Sequence, residues 1–258
     1  MRRVYYVIYH ESNSFTTDWL FLSLASLRKF TDADIVIVSD NLSNEKKLNL
    51  LTRFGATVRG ITSVRWDKRR MLCKLELLIK ILEYYSGEEG VELIMADVDV
   101  VFRGNPFGAF DDYQGFDLGF TTRFYSYPSP VNGGMVFYRN SPNLRKFITQ
   151  MCQQIISPSW PAYKEVKNAD NVDWNCDQDM LNAIYRQPVF FQDAFHIIVK
   201  DVGYRYNYCP GSDVFGTSAA STLLKWAYIE RVYPVIHFKG NTKDLLYEPG
   251  FGELLRNQ

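Results

Sequence analysis

Cysteine is scarce in this chain, and charge of neither sign is in excess. The four cysteines, Cys73, Cys152, Cys176 and Cys209, lie far apart and form no CxxC pair. That spacing gives little support to a zinc or dithiol redox motif and leaves free thiols in a reducing compartment as the plain interpretation. Lys plus Arg and Asp plus Glu both number 29 in 258 residues, for a net charge of zero. The balance argues against nucleic acid as a partner, although a neutral total can hide a local patch. No run reaches the ~18 apolar residues that a membrane-spanning helix needs. Met1-Arg2-Arg3 followed by VYYVIYH turns polar too soon for a signal peptide, so the expected location is cytoplasmic. Two chemistries also lack their signatures. No GxxxxGK[ST] supports a P-loop enzyme, and no GxSxG supports a serine hydrolase.

What is present is the material of a folded domain. The chain is 47% hydrophobic and 22% charged, long enough to bury a sizeable core without staples. Aromatics make up 16%, which fits an aromatic-rich core or sugar-stacking platforms. VYYVIY at residues 4–9 and Asp34-IVIVSD-Asn41 read as buried strands. Between them TDWLFLSLASLRKF has apolar residues at helical spacing and closes on Arg28-Lys29. Ser43 to Phe54 reads as a helix capped by Ser43, and Gly55 to Val58 as a third strand. Arg69 to Tyr85 is the clearest helix, with Met71, Leu75, Leu78 and Leu82 on one face. VELIMADVDVVF (Val91 to Phe102) comes next as a strand. This alternation predicts an α/β fold with a mostly parallel sheet covered on both faces. Ligands then bind at the carboxyl ends of the strands, which puts Tyr9 to Ser12, Ser39 to Asn41 and Asp97 to Asp99 on one rim. Pro128, Pro130, Pro158 and Pro161 break up the second half. With no repeat and no linker, residues 1–258 are expected to form one continuous domain.

Four segments carry chemistry. The first is Met95-Ala96-Asp97-Val98-Asp99-Val100. Two carboxylates after a buried strand are costly unless something positive meets them. If the strand continues, both project from one face; if the chain turns, they converge on one ion. Hard oxygen ligands suit Mg²⁺ or Mn²⁺ bridging to phosphates, while a pair capping a strand end is the bland alternative. The second is His237-Phe238-Lys239-Gly240-Asn241-Thr242-Lys243. His237 offers an imidazole to the same metal, Gly240 lets the backbone approach a phosphate, and Lys243 adds a point charge. The third is Cys176-Asp177-Gln178-Asp179-Met180-Leu181-Asn182, opening an apparent helix. Asp177 is either an N-cap, with Asp179 favouring the helix dipole, or it faces a ligand together with Gln178. The fourth is Asn132-Gly133-Gly134, which reads locally as a hairpin turn.

In order, these segments resemble the pattern of glycosyltransferase family 8 and its close relatives of the GT-A fold. That pattern is DxD, then Asn-x-Gly before a strand, then Asp-Gln-Asp-x-x-Asn, then His-x-x-Gly-x-x-Lys. The resemblance runs from the first strand to about Lys243, and the four motifs in order are more specific than any one alone. It implies a GT-A fold, Rossmann-like and mixed but mostly parallel, with a nucleotide-binding half at about 1–105 and an acceptor-side half at about 106–258. It also implies a donor that is a nucleotide-diphosphate sugar, a uridine one as first guess, and a carbohydrate or other hydroxyl acceptor. Asp97, Asp99 and His237 would ligate Mn²⁺ (or Mg²⁺), and Gly240 and Lys243 would contact the diphosphate. Asn132 and Asp177 would hydrogen-bond the transferred sugar with Lys74 nearby, and Gln178 would sit beneath the anomeric carbon. Tyr9, His10 and Glu11 would surround the base and ribose. The chain departs from the family pattern at His10-Glu11, where acidic residues are usual, and at Asp244-Leu245, where Pro-Trp is common.

Members of that family retain anomeric configuration. No carboxylate here is obviously placed as a covalent nucleophile, so front-side displacement is the expected route, with the leaving phosphate oxygen taking the acceptor's proton. The loop Arg123 to Pro130 and the segment Ser157 to Asp173 are the expected acceptor-binding regions. Two rivals stand beside this reading. A sugar-phosphate nucleotidyltransferase would open with a Gly-rich loop after its first strand, where this chain has HESNSF. A non-catalytic nucleotide-sugar or carbohydrate-binding protein would show no donor hydrolysis.

Overall fold

Two apolar runs set the frame. VYYVIY and IVIVS lie in β1 (Arg3–Tyr9) and β2 (Asp34–Ser39), because β-branched and aromatic side chains fit a pleated surface buried on both sides. They pair in parallel, from Val4 opposite Asp34 to Tyr9 opposite Ser39. The structure is a computed structural model that describes residues 1–10, 14–60, 70–123, 130–156, 176–210, 219–239 and 242–244. The remaining elements are α1 (Ser14–Leu27), α2 (Asn44–Phe54), β3 (Ala56–Gly60), α3 (Arg70–Tyr84), β4 (Glu92–Ala96), β5 (Val100–Phe102), α4 (Gly108–Asp112), β6 (Leu118–Thr122), β7 (Val131–Arg139), α5 (Pro142–Ile156), α6 (Cys176–Arg186), α7 (Pro188–Phe195), β8 (Val199–Asp201), a 3-10 turn at Tyr204–Asn207, α8 (Ala219–Val232) and β9 (Val235–His237).

Seven strands form one sheet in the order β3-β2-β1-β4-β7-β6-β8. β1 to β4 run parallel, β7 is antiparallel to β4 and β6, and β8 is parallel to β6. This is the mixed, mostly parallel α/β sheet that the alternation predicts. Side chains alternate across it. Val4 and Tyr6 join one core with Leu75, Leu78 and Leu82 of α3, and Tyr5, Val7 and Tyr9 join the other with Leu20 and Leu24 of α1. Each of those fully buried leucines contributes about 1.5–3 kcal/mol. Because β1, β2 and β4 are parallel, their carboxyl ends share one rim, which brings His10, Asp40 and Asp97 to the same edge.

Local signals place several boundaries. The Ser43 side chain accepts from Lys46 N–H at 3.3 Å at the start of α2, and Gly55 closes that helix in the left-handed conformation, φ 60°, where glycine meets no Cβ penalty. The first helix, expected to close on Arg28-Lys29, stops at Leu27. Arg28 instead donates from Nε to the Phe54 carbonyl at 2.7 Å and from a terminal nitrogen to the Ala33 carbonyl at 2.6 Å, tying α1 to the ends of its neighbours.

Two local readings are corrected. Val91 to Phe102 is not one strand. β4 ends at Ala96, the chain turns through Asp97 to Asp99, and β5 pairs antiparallel with β9 in a separate two-stranded sheet. Of the two alternatives for the carboxylates, the structure takes the turn, which lets both meet positive partners instead of facing the apolar core. Asn132-Gly133 is likewise not a hairpin turn. Both residues lie within the nine residues of β7 and not before a strand; Asn132 pairs with Thr121 of β6 and Gly133 N–H bonds the Gln178 side chain, which overrides the local signal.

Candidate active site

Asp97 comes directly after β4, Asp99 precedes β5, and His237 ends β9. One ligand atom from each lies within 4.8 Å of the other two. His237 Nε2 stands 3.2 Å from Asp99 Oδ1 and 3.7 Å from Asp97 Oδ2, and apart from these acids this buried nitrogen has no polar partner among the described residues. The ring is oriented from behind. Asn207 Nδ2 donates to Thr121 Oγ1 at 2.9 Å and to the Asn132 carbonyl at 3.2 Å, so its Oδ1 is the atom that meets His237 Nδ1 at 2.9 Å. An amide oxygen only accepts, so Nδ1 carries a proton. In the neutral ring the Nε2 lone pair then points toward the two carboxylates. A buried nitrogen facing two acids, with its other nitrogen held by an amide, fits a divalent cation.

Glycine makes the arrangement sterically feasible. A Cβ on Gly134 of β7 would overlap the His237 ring, so only glycine there lets the imidazole lie against the strand. The carboxylates are met by lysines. Lys74 Nζ from α3 donates to Asp97 Oδ1 at 2.8 Å and lies 3.6 Å from Asp177 Oδ2. Lys243 Nζ lies 2.6 Å from Asp99 Oδ2, and Lys239 Nζ donates to Asn132 Oδ1 at 2.7 Å.

These contacts set the protonation states. Burial would raise Asp99, but His237 and Lys243 outweigh it and hold the acid well below the usual carboxylate range. Asp97 is lowered in the same way, with Lys74 opposing its burial. Asp177 is raised, because burial outweighs Lys74 there. Burial would lower His237, yet Asp99 lifts it to about 9.

Asp177 lies within the first turn of α6 and not before it, so it is a helix residue rather than the N-cap; its Oδ1 accepts from Gln178 N–H at 2.9 Å. Gln178 directs its amide at β7, where Oε1 accepts from Gly133 N–H at 2.8 Å and Nε2 donates to the Val131 carbonyl at 2.6 Å. Asn132 is buried. Its Oδ1 also accepts from Gly134 N–H at 3.3 Å, and its Nδ2 meets the Asn207 carbonyl at 3.4 Å and Cys209 Sγ at 3.0 Å. Tyr9 turns its ring into the core, with its hydroxyl 2.8 Å from Thr17 Oγ1. His10 Nδ1 lies 3.0 Å from Asp40 Oδ1 on the rim. Glu11, Gly240, residues 124–129 and the segment Ser157 to Asp173 fall outside the described residues.

The structure therefore brings together Lys74, Asp97, Asp99, Asn132, Asp177, Gln178, His237 and Lys243, with His10 at the neighbouring strand ends. It adds three residues that the sequence alone did not single out, Asn207, Cys209 and Lys239, and gives Gly134, the glycine of Asn-x-Gly, its steric role. The second glycine after Asn132, and a lysine between His237 and Gly240, were visible signals. Asn207 and Cys209 had none, because their roles arise only from tertiary contact. The Cys209 thiol is opposed by burial but lowered overall by His237, Lys239 and Asn132.

No curated protein matches the chain. Among solved structures, the galactosyltransferase LgtC, in complex with donor and acceptor sugar analogs, is similar at a TM-score of 0.59 and 18% identity, over 98% of this chain and 95% of that one. The apo-form glycosyltransferase GlyE of Streptococcus pneumoniae TIGR4 gives 0.58 at 14% identity over 100% of this chain, which spans 63% of GlyE's length. At this level the likeness carries the fold, which is that of the GT-A glycosyltransferases. A family model described as nucleotide-diphospho-sugar transferase matches residues 69–244, more than half of the chain and all of the Asp97, Asp99 and His237 cluster, and the chain belongs to that family of glycosyltransferases.

Proposed function

We propose that the protein transfers a sugar from a UDP-sugar to a hydroxyl acceptor, with Asp97, Asp99 and His237 holding Mn²⁺ or Mg²⁺ at the donor diphosphate. The observation that carries this is His237 Nε2 directed at the carboxylates of Asp99 and Asp97, 3.2 and 3.7 Å away, with its Nδ1 held from behind by Asn207. Two acid oxygens and one imidazole suit these metals. When bound, the metal would offset charge developing on the leaving diphosphate.

The chain's own residues divide the remaining work. Lys243, with Gly240, would contact the diphosphate, and its charge stabilises the departing group more than the ground state. Asp177 and Lys74, already paired across the floor of the site, would meet the sugar, with Asn132 and Gln178 beside them. His10, with Glu11 after the end of β1, would border the base and ribose, while the Tyr9 ring, expected beside them, is buried in the core and would support that rim from below. Residues 1–105 would form the nucleotide side and 106–258 the acceptor side of one domain, with Arg123 to Pro130 and Ser157 to Asp173 recognising the acceptor. The Gln178 amide is committed to backbone bonds, which supports front-side displacement with retention rather than a covalent intermediate. In that route the leaving phosphate oxygen takes the acceptor's proton. The galactosyltransferase name of LgtC puts galactosyl donors first in order of trial.

Thermal shift against a panel of nucleotide sugars, with and without Mn²⁺, tests the reading. A ligand that binds only the folded state raises the melting temperature by mass action. The expected result is a rise with one UDP-sugar that needs Mn²⁺ and is lost in Asp99→Ala. No rise with any nucleotide, under either condition, would overturn the donor site.

A further inference from the structure

We infer, resting on the transferase function just proposed, that Lys239 is a specificity-determining residue that receives an acidic group, carboxylate or phosphate, carried by the transferred sugar or by the acceptor. Lys74 and Lys243 each meet an acid, Lys74 bonding to Asp97 at 2.8 Å and Lys243 lying 2.6 Å from Asp99. Lys239 does not. Its Nζ donates to the neutral Asn132 Oδ1 at 2.7 Å, and among the described residues no acid lies within ion-pair distance of it. An ammonium has three donors, so this one keeps capacity for a ligand.

The root of the side chain is fixed. Lys239 N–H donates to Thr242 Oγ1 at 2.8 Å, and the Lys239 carbonyl accepts from Thr242 N–H at 3.1 Å and from Thr242 Oγ1 at 2.8 Å. From this turn the half-buried side chain reaches β7 and not the carboxylates. A cation kept partly out of water with only a neutral partner is costly. It also opposes its neighbour: burial is the largest effect lowering His237, and Lys239 adds to it. An anion that arrives with a substrate offsets both costs. In the proposed function the diphosphate already has Lys243 and the metal, on the Asp99 side. Lys239 instead lies on Asn132, the residue assigned to the transferred sugar, whose Nδ2 meets Cys209 Sγ and the Asn207 carbonyl in the acceptor-side half. That position serves an acid on a sugar rather than the diphosphate.

Two arms separate the sources. In the donor arm, calorimetry at saturating Mn²⁺ compares UDP-galactose with UDP-galacturonate and UDP-glucose with UDP-glucuronate. In the acceptor arm, label from the donor bound most tightly is transferred to a glycan array that carries carboxylate- and phosphate-bearing members beside their neutral parents. The wild-type protein is expected to favour the acidic member by at least about tenfold in one arm, the size of one charge-assisted contact. Lys239→Gln, which keeps an N–H for Asn132 Oδ1 but no charge, should abolish that preference. Raised salt should shrink it in the wild type, a readout that stands even if Lys239→Gln does not fold. No preference for the acidic member in either arm would overturn the inference, and so would a preference that survives in Lys239→Gln or is untouched by salt. A loss of UDP affinity of about tenfold in Lys239→Gln without any acid preference would also overturn it, placing the lysine on the diphosphate. Wild-type protein that binds no UDP-sugar would instead remove the donor reading, and the inference with it.

Discussion

Lys243→Met should make the donor-free protein bind Mn²⁺ more tightly while making it bind UDP less tightly. Lys243 Nζ lies 2.6 Å from Asp99 Oδ2, so in the metal-free protein it holds an oxygen of a residue that the metal would use. The bare attraction at that distance is about 6 kcal/mol at an effective dielectric near 20. Most of this is offset, because the lysine side chain is 35% exposed and is screened and solvated when released. A net competition of about 1 kcal/mol is the reasonable figure for such a pair, and removing it raises Mn²⁺ affinity about fivefold. The second sign comes from the diphosphate. A charge-assisted contact is worth about 1.5–3 kcal/mol, so UDP affinity at saturating Mn²⁺ should fall at least about tenfold. Titrations of Mn²⁺ by paramagnetic resonance and of UDP by calorimetry measure the two effects separately, and Lys29→Met, an exposed lysine elsewhere, controls for net charge. If Mn²⁺ affinity falls or stays level in Lys243→Met, the lysine does not compete with the metal. If both affinities fall together, the substitution has only damaged the site.

Gly134→Ala places a methyl group where the His237 ring stands, so Mn²⁺ affinity should drop by at least about a hundredfold, a loss of most of one ligand, while a thermal melt reports whether the fold survives. Asn207→Ala frees the His237 ring and should weaken Mn²⁺ about 10–100-fold; it also leaves buried partners at Thr121 and Asn132 unsatisfied, so the melting temperature should fall by an amount equivalent to about 1–3 kcal/mol. Burial opposes the His237 charge, but Asp99 holds the metal-free ring protonated up to about 9, and metal needs it neutral. Mn²⁺ affinity should therefore rise about tenfold per pH unit below that value, with proton release seen on a pH-stat. The same shift has the opposite sign for the metal-free fold. Raised from 6.5 to about 9, His237 contributes stability that is full below the unfolded value and lost as pH rises through the folded one.

Much of the frame was legible because single residues settled it. Ser43 bounded α2 at its start by capping chemistry, and the apolar runs of β1 and β2 had no other place than a buried sheet; Gly55, read as the start of the third strand, instead closes α2. The metal cluster was legible for a different reason: carboxylates placed after a buried strand demand a positive partner, and His237 ends another apolar strand. What the sequence hid were the choices that backbone pairing makes. Val91 to Phe102 alternates equally well as one strand or two, and only the pairing of Val100 with His237 decides for two. Asn132-Gly133 has the local chemistry of a hairpin turn, yet pairing of Asn132 with Thr121 of β6 and the Gln178 bonds to Val131 and Gly133 hold it straight. Asn207 and Cys209 lie in a stretch where they alternate with tyrosines and match no motif, and nothing short of the tertiary fold brings them to His237.

The two lysines on the acids divide a task that neither could perform alone. Buried carboxylates without partners would protonate or destabilise the fold, so a metal site that must exist before its metal arrives needs cations of its own. Lys74 is 15% exposed and lies between Asp97 and Asp177, and both acids together overcome its burial and keep it charged. Withdrawing it would leave Asp97 and Asp177 short of a counter-charge, so its place is permanent. Lys243 is more exposed and comes directly after the short turn in which Thr242 Oγ1 accepts from Lys239 N–H at 2.8 Å. It can leave Asp99 for a phosphate with little loss of packing. On the proposed function, a fixed cation thus maintains the fold, and an exchangeable one would couple the metal to the diphosphate, since whatever draws Lys243 away from Asp99 would improve the site for a divalent ion.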